Sequence, residues 1–231
     1  MTSKQNERQR VSAHIDRRLR ALSEWPTGDR SRAGGASRIA EDIARGYAHL
    51  GQEKQAREYY ELAAGYCAAA LEQAPLENLT PDRAGHHFFT CARILWQAGQ
   101  KRGSRELFGQ ALEHYQSGFH HEICDVSITS YHYAIYCWIF LGAFEEARNG
   151  AETCSRLQAK SEVPYSSSDV GLLSSVAGLL REGSRSSIER ALAEVRHFTK
   201  KRRIHAYGAQ PHPIVDVEAY VEGLFEERIS D

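Results

Sequence analysis

Apolar residues along this chain recur at helical rather than alternating spacing. Val11, Ile15, Leu19 and Leu22 form one stripe among arginines and predict an amphipathic helix to about Ser23, after a polar start over residues 1–10 that should fray. Between Ile43 and Ala63 the residues fall on two helices separated by Gly51. Ile43, Ala44 and Tyr47 lie on the first, Ala56, Tyr60 and Ala63 on the second. Antiparallel helices need small residues where their axes cross and large ones beside the crossing, and glycine ends the first helix because it alone adopts positive φ cheaply. The pattern returns around Gly99 (Phe88, Ala92, Leu95, then Phe108 and Ala111, with Ser104 in the small position). It returns again around Gly142 (Tyr131, Ala134, Trp138, then Phe144, Ala147, Ala151, Cys154) and more loosely around Gly183 (Leu172, Val176, Leu179, then Ile188, Leu192, Val195).

Punctuation between these runs sets the organisation. Trp25 to Ala36, with Pro26, Gly28, Gly34 and Gly35, reads as a loop, and Ser37 as the cap of the next helix, with Glu41 and Asp42 complementing the dipole in its first turn. A helix from Lys54 to about Gln73 ends at Pro75, and Thr80-Pro81-Asp82 starts another. The aromatic, β-branched stretch Val126 to Phe140 could pass for a strand, but helical neighbours and the Leu141-Gly142 stop make it a helix. Glu162 to Asp169 is a connector with Ser168 or Asp169 as cap. Ser187 to Lys201 is a helix with a basic end, Tyr207 to Pro213 a loop, and Ile214 to Ile229 a closing amphipathic helix. The expected layout is one domain: residues 1–36 an N-terminal capping helix and loop, 37–206 about four degenerate helical hairpins, and 207–231 a C-terminal cap.

The hairpin pattern resembles the tetratricopeptide-like class over residues 37–200. The glycine anchors are spaced wider than the 34 residues of a regular array, from 51 to 99, 99 to 142 and 142 to 183. That resemblance implies an all-α stack of antiparallel hairpins, an α-solenoid, whose concave groove is lined by fixed first-helix positions. Carried onto this sequence, the candidate partner-binding residues are Arg38 and Arg45 in the first repeat and His86, Phe89, Arg93 and Trp96 in the second. The third repeat contributes His132, Tyr136 and Phe140. Arg45 and Arg93 share one frame position, and arginine beside aromatics is what interface cores enrich. Packing against the terminal caps is the competing role for Trp96, Tyr136 and Phe140. The groove alignment predicts that Arg45→Glu with Arg93→Glu weakens partner binding without lowering thermal stability.

Composition narrows the class. With 29 basic and 30 acidic side chains in 231 residues, net charge favours no polyanionic partner. Residues 1–50 carry ten Lys/Arg against six Asp/Glu, and 212–231 one against six, a bias that reads as solvated faces. The only concentrated basic run, Arg196 to Arg203, is explained by a helix end, so nucleic acid is not the expected partner. No segment has the length and apolarity of a membrane span or a secretory signal. Five cysteines without a CxxC pair suggest buried free thiols in a reducing compartment, hence a cytoplasmic location.

No motif for phosphate, dinucleotide, zinc-protease or serine-nucleophile chemistry is present. His114, His120, His121 and Cys124, and separately His87 and Cys91, lack the paired spacing of a zinc site, and Glu145-Glu146 reads as a solvated turn rather than an acid/base pair. The sequence therefore predicts no catalytic residue, metal or cofactor, and a protein or peptide as partner. Within that class the layout is similar to the all-helical immunity 49 family of bacterial polymorphic-toxin systems. It shares an Ala-rich hairpin after an N-terminal helix, aromatic hairpins, SSIERALAEVRHFTKKRR, and a closing IVDVEAYVEGLFEERI. That resemblance implies stoichiometric neutralisation of a cognate toxin. A regulatory sensor of a peptide or small ligand is the alternative, although the single helix before Trp25 is too short for a helix-turn-helix.

Overall fold

The structure, a computed structural model, describes residues 3–26, 33–161, 169–202, 204 and 212–230. Among these residues there are ten α-helices and no strand: α1 (Ser3–Ser23), α2 (Ala33–His49), α3 (Glu53–Leu71), α4 (Pro81–Gln97), α5 (Lys101–Ser117), α6 (Cys124–Leu141), α7 (Phe144–Lys160), α8 (Val170–Glu182), α9 (Arg185–Arg202) and α10 (Ile214–Ser230). A short 3-10 turn, Leu76–Asn78, precedes α4. None is long and apolar enough to cross a membrane, among the residues described.

Among the described residues the four anchor glycines are the positive-φ glycines, Gly51, Gly99, Gly142 and Gly183, at φ of 74, 79, 81 and 66°. Three close their helix identically. The N–H groups of Gly51, Gly99 and Gly142 donate to the carbonyls of Ala48, Trp96 and Ile139, at 2.9, 3.0 and 3.1 Å. The next residues, Gln52, Gln100 and Ala143, donate to Tyr47, Leu95 and Trp138 at 2.9, 2.9 and 2.8 Å. This pair of bonds satisfies carbonyls that the helix end would orphan. Gly183 makes the first of them, to Leu180 at 3.1 Å.

The chain divides into two compact units, one formed mainly by Met1–Pro75 and Thr90–Ser104, the other mainly by Leu76–Phe89, Arg105–Ile204 and Pro213–Asp231. The division falls within α4 and α5. In the first unit α1 packs on α2 and α2 on α3. Val11 and Ile15 meet Ile39 and Ile43, with Leu19, Leu22 and Trp25 around them, so the predicted stripe of α1 does cover the first hairpin. Ala44, Ala56, Tyr60 and Ala98 form the adjoining cluster. Ser104 keeps a buried small position because its hydroxyl donates to the Ala92 carbonyl at 2.8 Å.

In the second unit α6, α7, α8, α9 and α10 each pack on the next, and α10 also touches α6. Helix α6 has no polar face, and its run from Ala134 to Phe140 is entirely buried, which explains how so aromatic a sequence is a helix: it is surrounded rather than amphipathic. Phe89 and Phe108 sit edge to face with centroids 5.8 Å apart, Phe108 stacks on Phe140 at 4.5 Å, and Phe140 meets Tyr220 of α10 at 5.4 Å.

Two expectations at the N-terminal end are corrected. Helix α1 starts at Ser3, so residues 3–10 are helical. Helix α2 starts at Ala33, placing Gly34 and Gly35 inside it and Ser37 in its second turn, where Ser37 Oγ donates to the Ala63 carbonyl at 3.1 Å. Gly35 serves close approach, since a Cβ there would lie 2.4 Å from Cζ2 of Trp25. Most of the predicted connectors at 25–36, 162–169 and 207–213, including Ser168, fall outside the described residues.

Candidate functional site: the first-helix faces

In the first unit the predicted positions converge on buried charge. Because α2 begins early, Glu41 and Asp42 lie more than two turns in rather than in the first turn, and both are buried. Glu41 Oε1 accepts from Arg45 Nε at 2.9 Å, lies 2.8 Å from Arg45 Nη2 and stands 3.6 Å from Arg93 Nη2. Arg45 and Arg93 are only 4% and 6% exposed, so the shared frame position brings two guanidiniums to one carboxylate in the interior. With both buried, Arg45→Glu and Arg93→Glu would set three carboxylates together away from water, and thermal stability falls with that change. One residue along, Asp42 Oδ2 lies 2.9 Å from His14 Nε2 and 2.7 Å from Arg18 Nε, tying α1 to α2.

The other two first-unit candidates differ. Arg38 is exposed. Trp96 is half-buried, with Lys101 Nζ 3.3 Å above its ring centroid.

In the second unit two of the candidates meet one carboxylate. His132 Nε2 lies 3.0 and 3.1 Å from the two oxygens of Asp169, and the Tyr136 hydroxyl donates to Asp169 Oδ2. Asp169 precedes α8 as its N-cap, yet its side chain makes no capping bond; it turns inward to α6 instead. Phe89, Tyr136 and Phe140 are fully or almost fully buried. Of the candidates here only His86 and His132 keep partial exposure, His86 lying edge to face on Tyr133 at 5.1 Å.

Sequence reasoning did not single out Glu41, Asp42, His14 or Asp169 as partners of those positions. A carboxylate four residues before Arg45 was a readable sign; nothing in sequence pairs Asp169 with His132.

Four of the five thiols, Cys67, Cys91, Cys137 and Cys154, are buried as the sequence predicts, and Cys124 is not; all are free. The Cys91 thiol is pushed up, first by its hydrogen bond with Cys67 and then by burial; burial raises Cys137 well above its ordinary value. Burial, with Asp169 nearby, pushes Cys154 up to about 12. Such thiols are poor nucleophiles at neutral pH.

Among the described residues no group of three or more His, Cys, Asp or Glu is placed to hold a metal ion. His114 stacks on Phe88 at 5.1 Å, and His121 Nδ1 accepts from the Ile123 N–H at 3.2 Å. Glu145 pairs with Arg148 at 3.1 Å and with Arg181. An open hollow of about 640 Å³ between α7 and α8, lined by Ala151, Glu152, Ser155, Arg156, Gly171 and Ser174, involves none of the candidate residues.

No protein-family model matches the chain, and no curated protein matches it. Among solved structures it is similar to one titled "Crystal structure of BtubC (BKLC) from P. vanneervenii", at 14% identity, covering 100% of this chain and 88% of that one, with a TM-score of 0.41. A likeness of that size supports no inference about arrangement or partner.

Proposed function

We propose that this chain is a non-catalytic binding protein of tetratricopeptide-like hairpins that takes a protein or peptide on its first-helix faces. The observation that carries the reading is the recurrence of one device, a helix closed by a positive-φ glycine, at the four positions the repeat frame requires. Binding through helix faces asks for rigid, repeated hairpins and no reacting group. The accessible candidates are Arg38 and Trp96 in the first unit and His86 and His132 in the second; the buried ones support the faces from behind. Neutralisation of a toxin, as the immunity 49 resemblance implies, is one form such binding takes, in the cytoplasm of the cell that makes it.

A pull-down from native lysate tests the reading, with tagged wild type beside Arg38→Glu/Trp96→Ala. One protein retained at unit stoichiometry and lost in the variant supports it; toxicity of that protein when expressed alone, relieved by co-expression, supports the finer reading. Retention unchanged by the variant removes these faces from the account.

A further inference from the structure

The outer face of α1 carries arginines that no ion pair answers among the described residues. Val11 and Ile15 point this helix inward. On the opposite side Arg10, Arg17 and Arg20 lie along one line at i, i+7 and i+10, all exposed, spanning about 15 Å of helix. The acidic residues of this segment are engaged elsewhere or stand off. Glu7 pairs with His49 at 3.3 Å. Asp16 is exposed one turn before Arg20 but makes no ion pair with it or with Arg17 among the described residues. Arg18, the neighbour in sequence, is spent on Asp42. Glu24 follows the end of the helix and makes no ion pair with Arg20. Arg10, Arg17 and Arg20 make no ion pair among the described residues.

Like charges at i, i+3, such as Arg17 and Arg20, repel along a helix, and a bound anion relieves that repulsion. The basic end of α9 is different in kind, because Lys200, Lys201 and Arg202 complete a last turn where the helix dipole favours cations. Arg10 and Arg17 sit in mid-helix, so no dipole explains them. The positive residues are arginines, whose planar forks bind carboxylates two oxygens at a time. A net charge of −1 and three arginines over so short a span give an extended polyanion little to hold beyond the patch, whereas a short acidic stretch fits within it.

We propose that the outer face of α1 docks an acidic segment of a partner protein, gripped by Arg10, Arg17 and Arg20. This surface is distinct from the first-helix faces, and its test needs no knowledge of the partner. Fluorescein-labelled octaglutamate is titrated with the full chain at low salt and read by anisotropy. Wild type binds, and added salt weakens the binding. Arg10→Gln/Arg17→Gln/Arg20→Gln weakens it by about tenfold or more, about 1.4 kcal/mol, with an unchanged helical spectrum. Arg190→Gln/Lys200→Gln/Lys201→Gln on α9 binds as wild type does. The proposal is overturned if wild type does not bind, if the α1 variant binds equally well, or if the α9 variant loses as much. Tighter binding of oligothymidylate of the same charge would make the surface one for nucleic acid and equally end the proposal.

Discussion

The two units solve one packing problem with different chemistry. At the same frame position the first unit carries Arg45 and Arg93 and the second carries Tyr136, and all three side chains are buried. The first unit neutralises its guanidiniums on Glu41 and fastens α1 through Asp42, His14 and Arg18. The second pairs one carboxylate, Asp169, with a hydroxyl and an imidazole, and packs rings on one another from Phe89 through Phe108 and Phe140 to Tyr220. Residue type therefore decides whether burial at these positions is supported by charge pairing or by aromatic contact. The two supports also fail differently: an ion cluster loses charge balance at once when Glu41 goes, whereas packed rings lose contacts one at a time.

That contrast sets the order of expected effects. Glu41→Leu leaves two guanidiniums buried without their carboxylate and should cost about 3–5 kcal/mol in urea unfolding; a loss below about 1 kcal/mol would show that the cluster is hydrated in solution. Phe108→Ala removes a ring fully buried between Phe89 and Phe140, at a cost of about 3–5 kcal/mol, and differs from the first variant in being insensitive to added salt. Asp169→Asn, which keeps the shape but removes the charge accepting from Tyr136 and His132, should cost about 1.5–3 kcal/mol.

Alkaline pH separates the thiols. Cys154 is raised from 9.0 to about 12, so between those values the unfolded chain has lost a proton that the folded chain keeps. Stability is complete below pH 9 and falls as pH rises, by about 1.4 kcal/mol per pH unit for this group. Cys154→Ala should flatten the fall between pH 9 and pH 11; an identical slope in the variant would mean the thiol is solvated in the native state. The smallest effects compare glycines with open space at Cβ. Gly142→Ala, at φ 81°, should cost about 1 kcal/mol, while Gly65→Ala inside α3 should gain about 0.5–1 kcal/mol.

Much of this was legible in advance because helices and their stops are local matters. Periodicity and the anchor glycines placed α3 to α10 close to their observed bounds, and the stripe of Val11, Ile15, Leu19 and Leu22 identified the inner face of α1. The misreading at Gly34-Gly35 has a specific cause. Two glycines in a row read as a break when their use is unknown, and here Gly35 makes room for the Trp25 ring. The candidate faces were legible as positions but not as surfaces. Tyr136 and Phe140 carry no mark that separates a ring offered to a partner from one covered by Asp169 or Tyr220.

By itself, then, the sequence determined which segments are helices, where four of them stop, and which small residues let hairpins close, because φ preference and 3.6-residue periodicity act within a few residues of the chain. Only the tertiary structure decided that Glu41 would hold both arginines, that Asp169 would turn from its helix cap to His132 and Tyr136, and which arginines would stay in water. Those outcomes depend on the balance of desolvation against pairing between groups many residues apart, and no local pattern encodes that balance.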